Sequence, residues 1–210
     1  MFIDTVPVTD VFTTNAYFYI DEKTRHGFLI DAGAEAQKLK RIIKEKNYII
    51  EKILLTHGHF DHTGAVDILS DELSIPYYIH KNGKKYLEDV NYNLSIHCNR
   101  SIILKNAKYL QDKDIITLEA NPDIKIEVMH TPGHTPDSVV FYDKANNTAV
   151  VGDTIFKGAI GNAGYLGGNA QELRNSILNK IFLLPSLTVL YSGHSDRTTV
   201  GEEKARYNIR

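Results

Sequence analysis

Residues 57–62 read His57-Gly58-His59-Phe60-Asp61-His62, four groups able to bind a metal within six positions. Burying three imidazoles and a carboxylate side by side is costly unless a cation or hydrogen-bonding partners compensate them. Just before them, with only Thr56 between, stands Ile53-Leu54-Leu55, an apolar run with the length of a buried strand. The chain must therefore end a strand in a ligand-bearing turn and bring other segments to the same place. Gly58 removes a side chain between two imidazoles, letting the backbone bend so both can converge, while Asp61 and His62 can swing towards a second point. That spacing suits two adjacent metals better than one. Thr131-Pro132-Gly133-His134, Gly152-Asp153-Thr154 and Gly193-His194 each present one more ligand from a Gly-containing turn. The pooled set, five histidines and two aspartates, is the N/O donor set of zinc, iron or manganese.

The rest of the pattern is short strands interleaved with helices. Residues 17–20 and 27–30 read as paired strands joined by the polar turn 21–25. Ala34–Lys46 has helical spacing at Leu39, Ile42 and Ile43. Helices are expected over 63–73 and 81–89, with a strand at 76–79 between them. Residues 90–106 lack a pattern and read as a loop or lid. Strands are expected at 115–118, 124–128, 138–142 and 148–151, the last two joined by the hairpin turn Lys144-Ala145-Asn146-Asn147. Leu173, Ile177, Leu178, Ile181 and Leu184 mark an amphipathic helix stopped by Pro185. A last strand at 187–191 and a polar helix finish the chain. Several of these strands stop at a metal-binding residue, and loops at strand ends are where scaffolds build sites.

Composition sets the outer limits. The 210 residues are 42% hydrophobic, and 24 basic side chains face 26 acidic ones for a net charge of −2. One domain over 1–210 is expected, with ample length for a core. No basic surplus draws the chain to nucleic acid or anionic lipid, and no apolar run reaches membrane-spanning length. The start lacks a basic stretch followed by an apolar run, so no signal peptide is read and a cytoplasmic location is expected. The single cysteine, Cys98, excludes an internal disulfide and any thiolate cluster. His26, His80 and His97 belong to no cluster and read as ordinary surface or core histidines. Tyr77-Tyr78 is open to core packing or to a self-association surface, so a homo-oligomer stays open.

From Asp31-Ala32-Gly33 through Thr56–His62, Thr131–His134 and Gly152–Phe156 to Gly193-His194, the sequence resembles the metallo-β-lactamase-fold hydrolase superfamily. The resemblance implies an α/β fold, an αββα four-layer sandwich of two mixed sheets flanked by helices. It implies that His57, His59 and His134 hold one metal and that Asp61, His62 and His194 hold a second, with Asp153 bridging. The expected cofactors are two metal ions, zinc first, with iron or manganese as alternatives. His130-Thr131-Pro132-Gly133-His134-Thr135, Gly152–Phe156 and Gly201-Glu202-Glu203-Lys204 are similar to the glyoxalase II branch, in its short bacterial type. The implied activity is hydrolysis of a small-molecule thioester or ester by a metal-bridging hydroxide, with Asp61 also catalytic. Many antibiotic-hydrolysing members use a cysteine ligand, and Cys98 lies in no ligand motif, so that branch fits less well.

Substrate contacts depart from the family pattern. A basic residue usually follows the Asp153 segment, and here Asn162 takes its place. Lys157 could reach in instead, and Tyr165 could add a hydroxyl or an aromatic wall. A solvated surface charge and plain packing are the competing readings of those two. His130 and Asp31 read as residues that orient ligands from behind. The alternative function is an iron-dependent persulfide dioxygenase of the same superfamily, which keeps the motif but binds a single iron. A flavodiiron-like module would carry a flavodoxin domain, and a non-catalytic descendant would have lost ligands.

Overall fold

The stretch Tyr17-Phe18-Tyr19-Ile20 has no charged position, so a strand built from it needs cover on both faces. The computed structural model, which describes residues 1–209, supplies that cover. Strands β1 (Phe2–Thr9), β2 (Thr13–Ile20), β3 (His26–Ile30), β4 (Ile49–Leu54), β5 (Tyr77–His80) and β6 (Lys108–Leu110) lie side by side in chain order. The first three are antiparallel, and β3 to β6 run parallel. Parallel neighbours need crossovers. These run through α1 (Ala36–Glu45), the pair α2 (Phe60–Thr63) and α3 (Val66–Leu73), and α4 (Lys84–Glu88).

The second sheet takes β7 (Ile115–Thr117), β8 (Lys125–His130), β9 (Val139–Asp143) and β10 (Thr148–Gly152). A two-stranded ribbon follows, β11 (Ile155–Phe156) with β12 (Ala159–Ile160), then α5 (Ala170–Asn179). β13 (Val189–Ser192) and β14 (Thr198–Thr199) complete the sheet in the order β14-β13-β10-β9-β8-β7, and α6 (Val200–Arg206) closes the chain. Both sheets are mixed, with helices outside, as the family resemblance implies.

Period-two alternation divides each apolar strand between two cores. Phe18 and Ile20 pack outward with Leu39 and Ile43 of α1 and Val66 and Leu69 of α3. Tyr17, Tyr19, Phe28 and Ile30 face the other way, onto Ile126, Val128, Phe141 and Val150 of the second sheet. That sheet's far face, Val140, Tyr142, Ala149 and Val151, meets Leu173 and Ile177 of α5 and Val200 of α6. Tyr77 is buried in the first of these cores and Tyr78 packs between the sheets.

β1, the helix expected at 63–73 and the helix read to Leu184 differ from expectation, while 90–106 is a loop as read. β1 carries no clear strand signal because Pro7 interrupts it; it is tolerated because β1 is the sheet's edge and pairs only with β2 among the described residues. The helix expected at 63–73 starts at Phe60 and breaks after Thr63. There the Ala65 N–H leaves the helical ladder and donates to the Ala32 carbonyl at 2.9 Å. The helix read to Leu184 ends at Asn179, and Ile181–Leu183 form a 3-10 turn, since Leu184 before Pro185 is extended. Residues 90–106 form a tethered loop with a 3-10 turn at Ser95–Cys98. Asn93 accepts from Phe60 N at 2.9 Å and donates to the Ile102 carbonyl at 2.8 Å.

Candidate metal centre

The turns that carry the ligand-type residues follow β4, β8, β10 and β13, so one end of the sandwich gathers them. After β4 the backbone runs extended through His59, whose ψ is 150°, and α2 begins at Phe60. That change of geometry sends Asp61 and His62 to a different side from His57 and His59. Gly58 is not in a left-handed conformation. It is needed because a Cβ there would overlap Tyr86 of α4, a correction to the reading based on backbone freedom.

His57 Nε2 lies 3.1 Å and His134 Nε2 3.0 Å from His59 Nδ1. Tetrahedral metal–nitrogen bonds of about 2.0–2.1 Å put ligand nitrogens about 3.3 Å apart, close to this spacing. Asp61, His62 and His194 form a second group, with ligand atoms within 4.8 Å of one another. His194 Nε2 stands 3.1 Å from Asp61 Oδ2. Asp153 lies between the groups: its Oδ2 is 3.7 Å from His134 Nε2 and 3.3 Å from His194 Nε2, and its Oδ1 is 3.4 Å from His62 Nε2.

His62 Nε2 and Asp153 Oδ1, which face each other across the cluster at 3.4 Å, are buried without a hydrogen-bond partner. Unpartnered buried polar atoms on facing imidazole and carboxylate groups are what a metal ion would satisfy, so the cluster fits a metal site. The outer ring nitrogens of His62, His134 and His194 are held by the fold. His62 Nδ1 meets Asp31 Oδ2 at 2.9 Å, His134 Nδ1 the Asn162 carbonyl at 2.7 Å, and His194 Nδ1 the Thr13 carbonyl at 2.8 Å. Such contacts fix tautomer and ring orientation. Asp31 also accepts from Thr56 N at 2.8 Å and Thr56 Oγ1 at 2.7 Å.

Electrostatics separates the two groups. Burial, reinforced by neighbouring imidazoles, holds His57 well below its ordinary 6.5 and His59 at about 3; burial also lowers His134. Burial opposes charge on His62 and His194 too, but carboxylates outweigh it. Asp61, Asp31 and Asp153 raise His62 well above 6.5, and Asp153 and Asp61 raise His194 to about 10. In the metal-free protein the three depressed histidines resist protonation, so stability falls as pH drops below 6.5 towards about 3. The two raised histidines stabilise the fold below 6.5, and that contribution is lost as pH rises towards about 10. The melting temperature of chelator-treated protein is therefore expected to peak near 6.5 and decline on both sides. A flat profile from pH 6.5 to 9 would contradict this assignment of charge.

The remaining sequence candidates are placed as follows. Tyr165 stands over the first group, its ring 5.7 Å from His59 and 6.3 Å from His134. Asn162 serves His134 through its backbone carbonyl, while its side-chain oxygen accepts from Gly164 N at 2.9 Å. Lys157 is not brought into the cluster; its ammonium pairs with exposed Asp196 at 3.2 Å. His130 stacks on His80 with rings 4.0 Å apart and meets the Pro136 carbonyl at 2.8 Å. It thus touches the loop that carries His134 rather than His134 itself. Sequence reasoning missed Thr13 and also Thr14, whose hydroxyl donates to Asp61 Oδ2 at 3.1 Å. Some 180 positions separate Thr13 from His194, and nothing local in either segment signals the contact. Thr56 adjoins the motif and could have been found.

Paired mixed sheets between helices, with a histidine–aspartate metal site at their strand ends, define a metal-dependent hydrolase. Residues 9–194 match the family model of the Metallo-beta-lactamase superfamily, and the chain belongs to that superfamily. It is 38% identical to the probable metallo-hydrolase YqgX of Bacillus subtilis, covering 90% of this chain and 89% of the relative. It is 30% identical to the hydroxyacylglutathione hydrolase GloC of Haemophilus influenzae, covering 97% and 95%. Among solved structures, BLEG-1 B3 metallo-beta-lactamase superposes with a TM-score of 0.90 at 35% identity over 97% of both chains. TTHA1623 in a di-iron-bound form superposes at 0.81 with 31% identity, over 96% of this chain and 97% of the other. No helix among the described residues is long and apolar enough to cross a membrane.

Proposed function

We propose that the chain is a binuclear hydrolase of small acyl thioesters or esters. His57, His59 and His134 would hold one metal and Asp61, His62 and His194 the other, with Asp153 shared between the two groups. The observation that carries this reading is the place of Asp153, within 3.7 Å of His134 and 3.3 Å of His194, one histidine from each group. Bound metals would supply a water of near-neutral pKa and would polarise a carbonyl. Asp61 is held ionised: burial works against its charge, but His62 and His194 pull it well below the usual carboxylate range. It accepts the Thr14 hydroxyl and is placed to orient a proton of the attacking water. Asp31, fully buried, keeps His62 Nδ1 engaged so that Nε2 faces the other ligands. A thiolate leaves readily near neutral pH, so no further general acid is needed.

The similarity to GloC, named a hydroxyacylglutathione hydrolase, supports thioesters as the first substrates, and the di-iron form of TTHA1623 supports two ions, with iron beside zinc. A second reading, opening of a β-lactam amide, is favoured by the 35% identity to BLEG-1. A persulfide dioxygenase keeps the same histidines and aspartates while binding one iron, so the number and kind of bound metal, rather than the ligand set, separates it from the hydrolase.

Elemental analysis of protein expressed with zinc, iron and manganese all supplied is expected to find about two metals per chain. S-lactoylglutathione hydrolysis should then be lost on chelation and restored by metal. One iron per chain together with oxygen uptake on glutathione persulfide would overturn the hydrolase in favour of the dioxygenase. Benzylpenicillin turnover well above thioester turnover would move the assignment to the second reading.

A further inference from the structure

Two stretches of exposed apolar side chain stand at opposite ends of the seven-residue cluster. Val11 and Phe12, 51% and 53% exposed, form the tip of the β1–β2 hairpin. Tyr165 and Leu166, 42% and 50% exposed, lie in the loop after β12. Single exposed apolar residues are common and mean little. These four differ because both stretches are built into the metal centre. The residues that follow Phe12 hold the second group, Thr13 through His194 and Thr14 through Asp61. The Phe12 ring itself packs 5.9 Å from Phe60, which adjoins His59 and Asp61. At the other end the Tyr165 ring stands against His59 and His134. Its loop is pinned by the Tyr86 hydroxyl on the Leu166 carbonyl at 2.5 Å and by Gly168 N on the Tyr165 carbonyl at 2.9 Å.

Of the two side chains that could have read a charged substrate arm, Lys157 pairs with Asp196, and Asn162, whose side-chain oxygen accepts from Gly164 N, carries no charge. Polar groups that fix a carbonyl, flanked by rigid apolar walls, are the usual make-up of a small-molecule site. We propose that Phe12 and Tyr165 wall a cleft across the metal centre that takes thioesters or esters with an uncharged, apolar acyl chain of several carbons. This specificity rests on the hydrolase reading above. Water adds to the carbonyl carbon and the C–S or C–O bond breaks. The acid and the free thiol or alcohol leave, and no oxidant or reductant is consumed.

The test compares kcat/KM for S-acetyl, S-butanoyl and S-hexanoyl N-acetylcysteamine, with S-lactoylglutathione alongside, on metal-loaded protein. A rise of about tenfold from acetyl to hexanoyl is expected, the amount for four methylenes half removed from water. In Phe12→Ser the hexanoyl-to-acetyl ratio is expected to collapse towards one through KM, with metal content as in the parent. Phe12→Leu and Tyr165→Phe, which keep an apolar wall, should keep most of the ratio. A flat chain-length profile, a ratio preserved in Phe12→Ser, or a preference for S-lactoylglutathione over the hexanoyl ester overturns the proposal. Failure to hydrolyse any thioester overturns the underlying function instead, so the two failures are distinguishable.

Discussion

Replacing Asp153 with alanine is expected to lower bound metal from about two per chain to one or fewer. Thioester turnover should fall by about 10³-fold or more, since metal charge is worth several kcal/mol to the transition state and each 1.36 kcal/mol is tenfold. The reason is positional. Asp153 is the residue whose carboxylate faces histidines of both groups, at 3.3–3.7 Å from His62, His134 and His194. It also answers the positive charge that the metal-free site carries on His62 and His194. Its loss removes a ligand from both ions at once, whereas the loss of one histidine would affect a single ion. Elemental analysis and steady-state kinetics on the same preparation decide the matter. Two tightly held metals with parent-like turnover in the variant would remove Asp153 from the site.

Gly133→Ala is expected to destabilise the fold by about 4 kcal/mol or more, the range reserved for strained backbone combined with overpacking. Gly133 sits at φ 140°, where L side chains rarely go. A Cβ there would overlap the N and Cα of Leu173 in α5 and stand 2.5 Å from its Cβ. Helix backbone cannot move aside as a flexible side-chain end can. The contact is also reciprocal, because Asn169 N donates to the Gly133 carbonyl at 2.7 Å and Ser176 Oγ to the Pro132 carbonyl at 2.7 Å. The same strain would displace His134, so weaker metal retention should accompany the loss of stability. Urea unfolding of the parent and variant measures the first effect and metal analysis the second. A variant within about 1 kcal/mol of the parent would show that the loop and α5 can separate, an outcome close to an ordinary surface substitution.

The ligand-type residues were legible in the sequence because each lies in a short local pattern: an apolar run, then a turn, then His or Asp. Strands β2, β3, β9 and β10 were legible for the same reason, since alternation and turn chemistry act over a few residues. The Lys144–Asn147 turn does join β9 to β10, with Thr148 opposite Asp143. β1 was not legible, because an edge strand needs neither continuous apolar character nor every N–H, and Pro7 exploits both freedoms. The split between α2 and α3 was hidden as well, because the partner that takes Ala65 N–H is the Ala32 carbonyl of a distant turn.

By itself the sequence determined which side chains could bind metal, that the chain would form layered sheets and helices, and that a metal site would lie at strand ends. These are properties of composition and short-range order. Tertiary structure alone decided which residues meet. It set Asp31 behind His62, the Thr13 carbonyl behind His194 and Asp153 between the two groups, and it drew Lys157 away to Asp196. It also brought Phe12 and Tyr165 to opposite ends of one cluster. Each of these depends on strand order and on how the two sheets face each other. Both are fixed when separate apolar faces are buried together, and no single segment of the chain records that event.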